Sequence, residues 1–152
     1  MTVAARHGPR LELTVQYAAP RRGLPGRARL EQWAAAALRR GADVTVRFVG
    51  GREGRSLNGA YRGRDYATNV LTFVYADAPR RRLSGDLVLC APVIAREARA
   101  QAKRLDAHYA HLVVHGVLHL QGWDHAHRHD AEAMEQRETK ILARLGYADP
   151  YA

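Results

Sequence analysis

The sequence predicts an α+β fold, a small β-sheet of about four strands packed with helices. Three observations carry that expectation. Up to Cys90, short segments rich in β-branched and aromatic residues recur between Gly- and Pro-rich breaks. From Pro92 onward the apolar residues fall at helical spacing. A central helix in that second half carries a row of histidines. No repeat, low-complexity tract or linker divides the 152 residues, so one domain over 1–152 is expected.

Leu11, Leu13 and Val15 alternate with Glu12, Thr14 and Gln16, the period of a strand with one buried face. Residues 19–26 read as a loop punctuated by Pro and Gly. Ala28 to Arg40 reads as a helix with Leu30, Trp33, Ala34, Ala37 and Leu38 inward, stopped by Gly41. Val44, Val46 and Phe48 mark a second strand, ended by Gly50-Gly51. Residues 52–60 form a short helix containing Leu57, and Thr68 to Tyr75 a third strand. A basic loop over 78–82 leads to a fourth strand, Gly85 to Cys90.

Pro92 suits the first turn of a helix whose Ile94, Ala95, Ala98 and Ala102 share a face. A break near Leu105 precedes the central helix, Leu105 to Leu120, with Leu112, Val113, Val117, Leu118 and Leu120 on its apolar side. The last helix runs from about Arg128 to Leu145, with Met134, Ile141, Leu142 and Leu145 inward and Gly146 as its cap.

The formal net charge is +9, and nearly all of the basic residues are arginine. A basic surface attracts polyphosphate, although an Arg- and Ala-favouring codon bias accounts for the excess equally well. No apolar run is long enough to span a membrane, and no apolar stretch follows Arg6 and Arg10 as a signal peptide would require. The single cysteine, Cys90, cannot form an internal disulfide. A cytoplasmic protein is expected.

Seven of the eight histidines lie between 108 and 129, a clustering that codon bias does not explain. His115 and His119 are four apart, so on a helix both imidazoles lie on one face. Gly122 can leave the helix, which lets His125 return as a third ligand. Three neutral imidazoles and one open position describe a catalytic zinc site. The spacing matches the metzincin signature H-E-x-x-H-x-x-G-x-x-H except that Gly116 replaces the general-base Glu. His127 and His129 compete as the third ligand but lack the Gly-x-x-His spacing. His111, one turn before the first ligand, lies beneath the metal or lines the cleft. Asp124 either orients a ligating imidazole or caps the following helix.

Ahead of the third strand, Arg62 and Arg64 flank Gly63. A guanidinium there can hold a phosphate by two parallel hydrogen bonds, or simply be solvated on a turn.

Together these segments resemble the YbeY family of bacterial single-strand endoribonucleases, also called rRNA maturation factors. The resemblance rests on Leu57-Asn58 with Tyr61-Arg62-Gly63-Arg64-Asp65, on Thr68-Asn69-Val70-Leu71, and on Gly85 to Cys90. It rests above all on His111 to Leu120 with Gly122-Trp123-Asp124-His125, and extends to Met134, Glu135, Glu138, Ile141, Leu142 and Leu145-Gly146. Ala67 stands where the family usually has proline, Thr72-Phe73-Val74 replaces a usual Ser-Phe-Pro, and Trp123 replaces a common tyrosine.

The resemblance implies an α+β fold with a small mixed β-sheet and one Zn2+ per chain on His115, His119 and His125, with Arg62 as the implicated arginine. It implies cleavage of single-stranded RNA in 16S rRNA 3′-end maturation and ribosome quality control. The partners implied are the 16S 3′ region and the small ribosomal subunit, with ribosomal proteins or an assembly GTPase as further candidates. On this reading Arg62 neutralises charge on the scissile phosphate and His111 shuttles a proton. Arg64 and Asp86 are candidate substrate-positioning residues. A zinc-containing, non-catalytic ribosome assembly factor is the alternative. A metallopeptidase is a third reading, disfavoured by Gly116.

Overall fold

The structure, a computed structural model, describes residues 10–75, 82–123 and 128–152, apart from the side chains of Arg128 and His129. Among the described residues, four strands and five helices follow in the order β1 (Leu11–Ala18), α1 (Arg27–Ala37), β2 (Ala42–Val49), α2 (Gly51–Arg62), β3 (Val70–Val74), β4 (Leu83–Cys90), α3 (Ala91–Ala100), α4 (Leu105–Leu120) and α5 (Arg128–Arg144). The strands form one mixed sheet in the order β1-β2-β4-β3. β1, β2 and β4 run parallel, and β3 pairs antiparallel to β4, so β3 is an edge. The fold is α+β. Among the described residues no helix is long and apolar enough to cross a membrane.

Period-two alternation sets which residues face which layer. Leu13, Val44, Val46, Phe48, Leu87 and Leu89 face a large core completed by α1, α4 and α5. Val49, Leu71, Val88 and Cys90 face a smaller cluster with Val93, against which Leu57 of α2 packs. The histidine-bearing helix and α2 therefore sit on opposite faces of the sheet.

Helix α1 stops at Ala37, three residues before the expected end. Leu38 is extended and buried, and Ala42 N–H already donates to Arg10 C=O to open the β1–β2 ladder. Gln121, just past α4, holds this corner, donating to Ala37 C=O and accepting from Arg39 N–H. Strand β3 starts at Val70 rather than Thr68, because the Asn69 side chain takes the Val70 N–H for itself and donates to Glu97.

Helix α4 spans the expected Leu105–Leu120. Ten of its sixteen residues are buried, which leaves His111, His115 and His119 as a half-buried line along one side. A helix apolar on most of its circumference belongs inside, and this one lies against the sheet. Its end is a Schellman turn: Trp123 N–H donates to Leu118 C=O, Gly122 N–H donates to His119 C=O, and Gly122 has φ +100°. The helix thus stops at Leu120, one residue past His119, as the glycine predicted.

Gly116 marks the closest approach of α4 to the sheet. A Cβ there would lie 2.7 Å from Leu87 Cδ2, and Leu87 is fully buried. Gly116→Ala is expected to cost about 1–3 kcal/mol by overpacking. At roughly 2–4 °C per kcal/mol for a domain of this size, the melting temperature should drop by several degrees in a thermal melt.

Candidate metal centre and nucleic-acid cleft

His115 and His119 line a cleft of about 560 Å³ together with Tyr61 and Arg62 from the end of α2 and residues 68–73 along β3. The sheet order explains this meeting. Because β3 is the edge strand, α2 on one face and α4 on the other can both reach round it.

Each wall is fixed locally. On the α2 side, Asn58 is fully buried and donates to Tyr66 C=O, while Arg64 N–H donates back to Asn58 C=O. These bonds hold the turn that follows Arg62. Along β3, Asn69 donates to Glu97 of α3, which also bonds His108 Nε2 at 2.9 Å. Burial, the largest influence, holds the His108 imidazole below its ordinary range despite the pull of Glu97. His108 is thus a core residue tied to α3.

On the α4 side, His115 Nδ1 lies 2.5 Å from Glu138 Oε2. Glu138 belongs to α5 and is fully buried. Its other oxygen meets His111 Nε2 at 2.9 Å and accepts the Tyr151 hydroxyl. Burial pushes the Glu138 carboxyl up, but hydrogen bonds from His111, His115 and Tyr151, with the charge of His115, outweigh it and hold the group down to about 2. The carboxylate is therefore ionised at neutral pH. His115 donates Nδ1–H to it, and Nε2 becomes the basic nitrogen. This is the carboxylate–histidine pairing that orients metal-binding imidazoles and raises their basicity.

The His115 and His119 ring centroids are 5.8 Å apart, with the rings nearly perpendicular. Both rings line the same cleft, and their donor chemistry suits zinc. The residues present thus fit a metal on His115 and His119. The third expected ligand, His125, lies outside the described residues, as do Asp124 and His127. Among the described residues no group of three or more potential ligands is assembled.

The other expected site residues fall elsewhere. His111 is bonded to Glu138 beneath His115 rather than lining the cleft, and its Nδ1 is buried without a hydrogen-bond partner among the described residues. Arg64 is exposed beyond the end of α2 and does not line the cleft. Asp86 points away from α4, because its neighbours Gly85 and Leu87 are the β4 residues that face that helix. It accepts a hydrogen bond from Tyr75 on the other face of the sheet. Among the described residues lining the cleft there is no carboxylate.

Glu138 and Tyr151 received no site role from the sequence. A signal existed for the first: Met134, Glu138, Ile141 and Leu142 share one helical face, and a carboxylate in an apolar stripe must find partners.

The sequence model described as Endoribonuclease YbeY matches residues 27–146. This chain belongs to the YbeY family. A relative from Stenotrophomonas maltophilia, named Endoribonuclease YbeY, is 58% identical over 95% of this chain and 96% of its own length. One of the same name from Aromatoleum aromaticum is 60% identical over 94% of each chain. A solution structure of a Thermotoga maritima protein matches with a TM-score of 0.55 at 22% identity, covering 92% of this chain and 97% of its own. That likeness shows a shared fold. In this YbeY chain the fold brings Arg62 to the same cleft as two histidines.

Replacing Glu138 by Ala removes the acceptor of His115, His111 and Tyr151 at once. Urea denaturation should show a stability loss of about 3–5 kcal/mol. Glu138→Gln, which keeps a carbonyl acceptor, should lose less.

Proposed function

We propose that this protein is a metal-dependent endoribonuclease that cleaves single-stranded RNA at the cleft between α4 and the end of α2. Membership of the endoribonuclease YbeY family makes it an RNA-cleaving hydrolase. The observation that carries the finer reading is the shared cleft, where Arg62 faces the same space as His115 and His119. The substrate is the 3′ region of 16S rRNA on the small ribosomal subunit, in maturation and in ribosome quality control. Ribosomal proteins or an assembly GTPase are its further partners, and its compartment is the cytoplasm.

One zinc per chain would be held by His115, His119 and His125. When bound, zinc supplies an acidified water for phosphodiester hydrolysis and a Lewis acid for the phosphoryl oxygens. The chain's own residues do the rest. Glu138 holds the proton on His115 Nδ1 and so fixes which nitrogen faces the cleft. Arg62 binds the scissile phosphate and neutralises the charge that grows on it. Thr72 presents a polar group along the edge strand, suited to a sugar–phosphate backbone.

The lack of a carboxylate among the described cleft residues favours a second reading, a zinc-containing assembly factor that binds rRNA without cutting it. Cleavage of a 16S 3′-end precursor fragment separates the two. Wild type should cleave it, Arg62→Ala should be about 100- to 1,000-fold slower, and His119→Ala should be inactive. Equal cleavage by all three proteins would be contaminating ribonuclease. A folded, zinc-loaded wild type that does not cut would favour the assembly factor.

A further inference from the structure

The cleft does not end at the metal side. Tyr61, which precedes Arg62, packs edge-on against Phe73 with ring centroids 4.9 Å apart. Tyr75 follows Phe73 by two residues, so both project from the same face of the β3 backbone. The Tyr75 hydroxyl is tied to Asp86, and Tyr75 N–H continues the ladder to Ser84 C=O. Hydrogen bonding to Asp86, then burial and the charges of Asp86 and Tyr61, hold the Tyr75 phenol above its ordinary range, so it stays neutral. Yet Tyr61 is 66% exposed and Tyr75 50% exposed. Two large rings are thus held in place and left facing solvent: Tyr61 in the cleft wall next to Arg62, and Tyr75 just outside it, two residues past Phe73.

We infer that Tyr61 and Tyr75 are stacking platforms for unpaired RNA bases next to the scissile phosphate. The assignment rests on the endoribonuclease reading and names what selects the strand. The patch is continuous with the cleft through Tyr61 and Phe73, and Arg62 beside it matches a phosphate. A base offers a flat π-face that a tyrosine ring can cover, whatever its identity. In a duplex those faces are already covered by neighbouring bases, so such platforms favour single strands. Because Phe73 and Asp86 already fix the rings, little freedom is lost on stacking.

The test is fluorescence anisotropy with labelled single-stranded oligoadenylate RNA, an abasic oligonucleotide of equal length, and an RNA duplex. Tyr61→Ala and Tyr75→Ala should each weaken oligoadenylate binding about tenfold and leave the abasic and duplex probes unchanged. Tyr61→Leu keeps apolar bulk over Phe73 and should bind as weakly as Tyr61→Ala. Tyr61→Trp should bind at least as well as wild type, and the emission gained in Y61W should be quenched by oligoadenylate but not by the abasic probe. Unchanged oligoadenylate affinity in both alanine variants would overturn the assignment and point to a protein partner for this surface. A wild type with no measurable affinity for the probe would overturn it too. Because the readout is binding, a protein that stacks bases but fails to cleave would retire the nuclease reading while leaving the platforms in place.

Discussion

The buried carboxylate of Glu138 is the interaction on which the arrangement of the site depends. It sits where an apolar residue would ordinarily complete α5, and it is ionised there because three donors converge on it. Those donors come from two turns of α4 and from Tyr151 near the C-terminus. One group thus joins three parts of the chain and sets the tautomer of His115. The cost of burying a charge is offset only while all three partners are present. That makes Glu138 a positioning residue for the histidine side of the cleft, with no contact to a substrate required of it.

The second constraint is steric. Helix α4 approaches the sheet so closely at Gly116 that no side chain fits between it and Leu87. The position that carries the general base in a metzincin protease therefore faces the core here. The same close packing turns the line of His115 and His119 outward toward β3. Among the described residues the cleft offers no carboxylate base; it offers Arg62, delivered from the opposite side of the sheet round an edge strand. A cation opposite two imidazoles that suit a metal fits an anionic phosphodiester better than a neutral peptide bond.

Much of this was legible in the sequence. The α4 boundaries followed from its apolar spacing and from Gly122, and the strands followed from alternation. The pairing of His115 with His119 needed only helical geometry. Arg62 was harder: nothing in its spacing distinguishes it from Arg64, two residues on. The sheet order, with β3 antiparallel at the edge, decides which of them lines the cleft. Asp86 could not be excluded from sequence either, because which face of β4 it occupies depends on register against β3 and on which face α4 packs. His111 shares the helical line of the ligands but is claimed by Glu138, a partner 27 residues away. Long-range pairings of this kind leave at most an indirect trace, such as a carboxylate in an apolar stripe.

The claim on which the account turns is that catalysis belongs to a metal held beside Arg62. The most direct measurement follows cleavage of a 16S 3′-end precursor fragment by chelator-stripped protein as zinc is returned. Stripped protein should not cleave, and activity should then rise in proportion to bound zinc and saturate at one ion per chain. A stripped, folded protein that cuts as fast as the zinc-loaded one would contradict that claim.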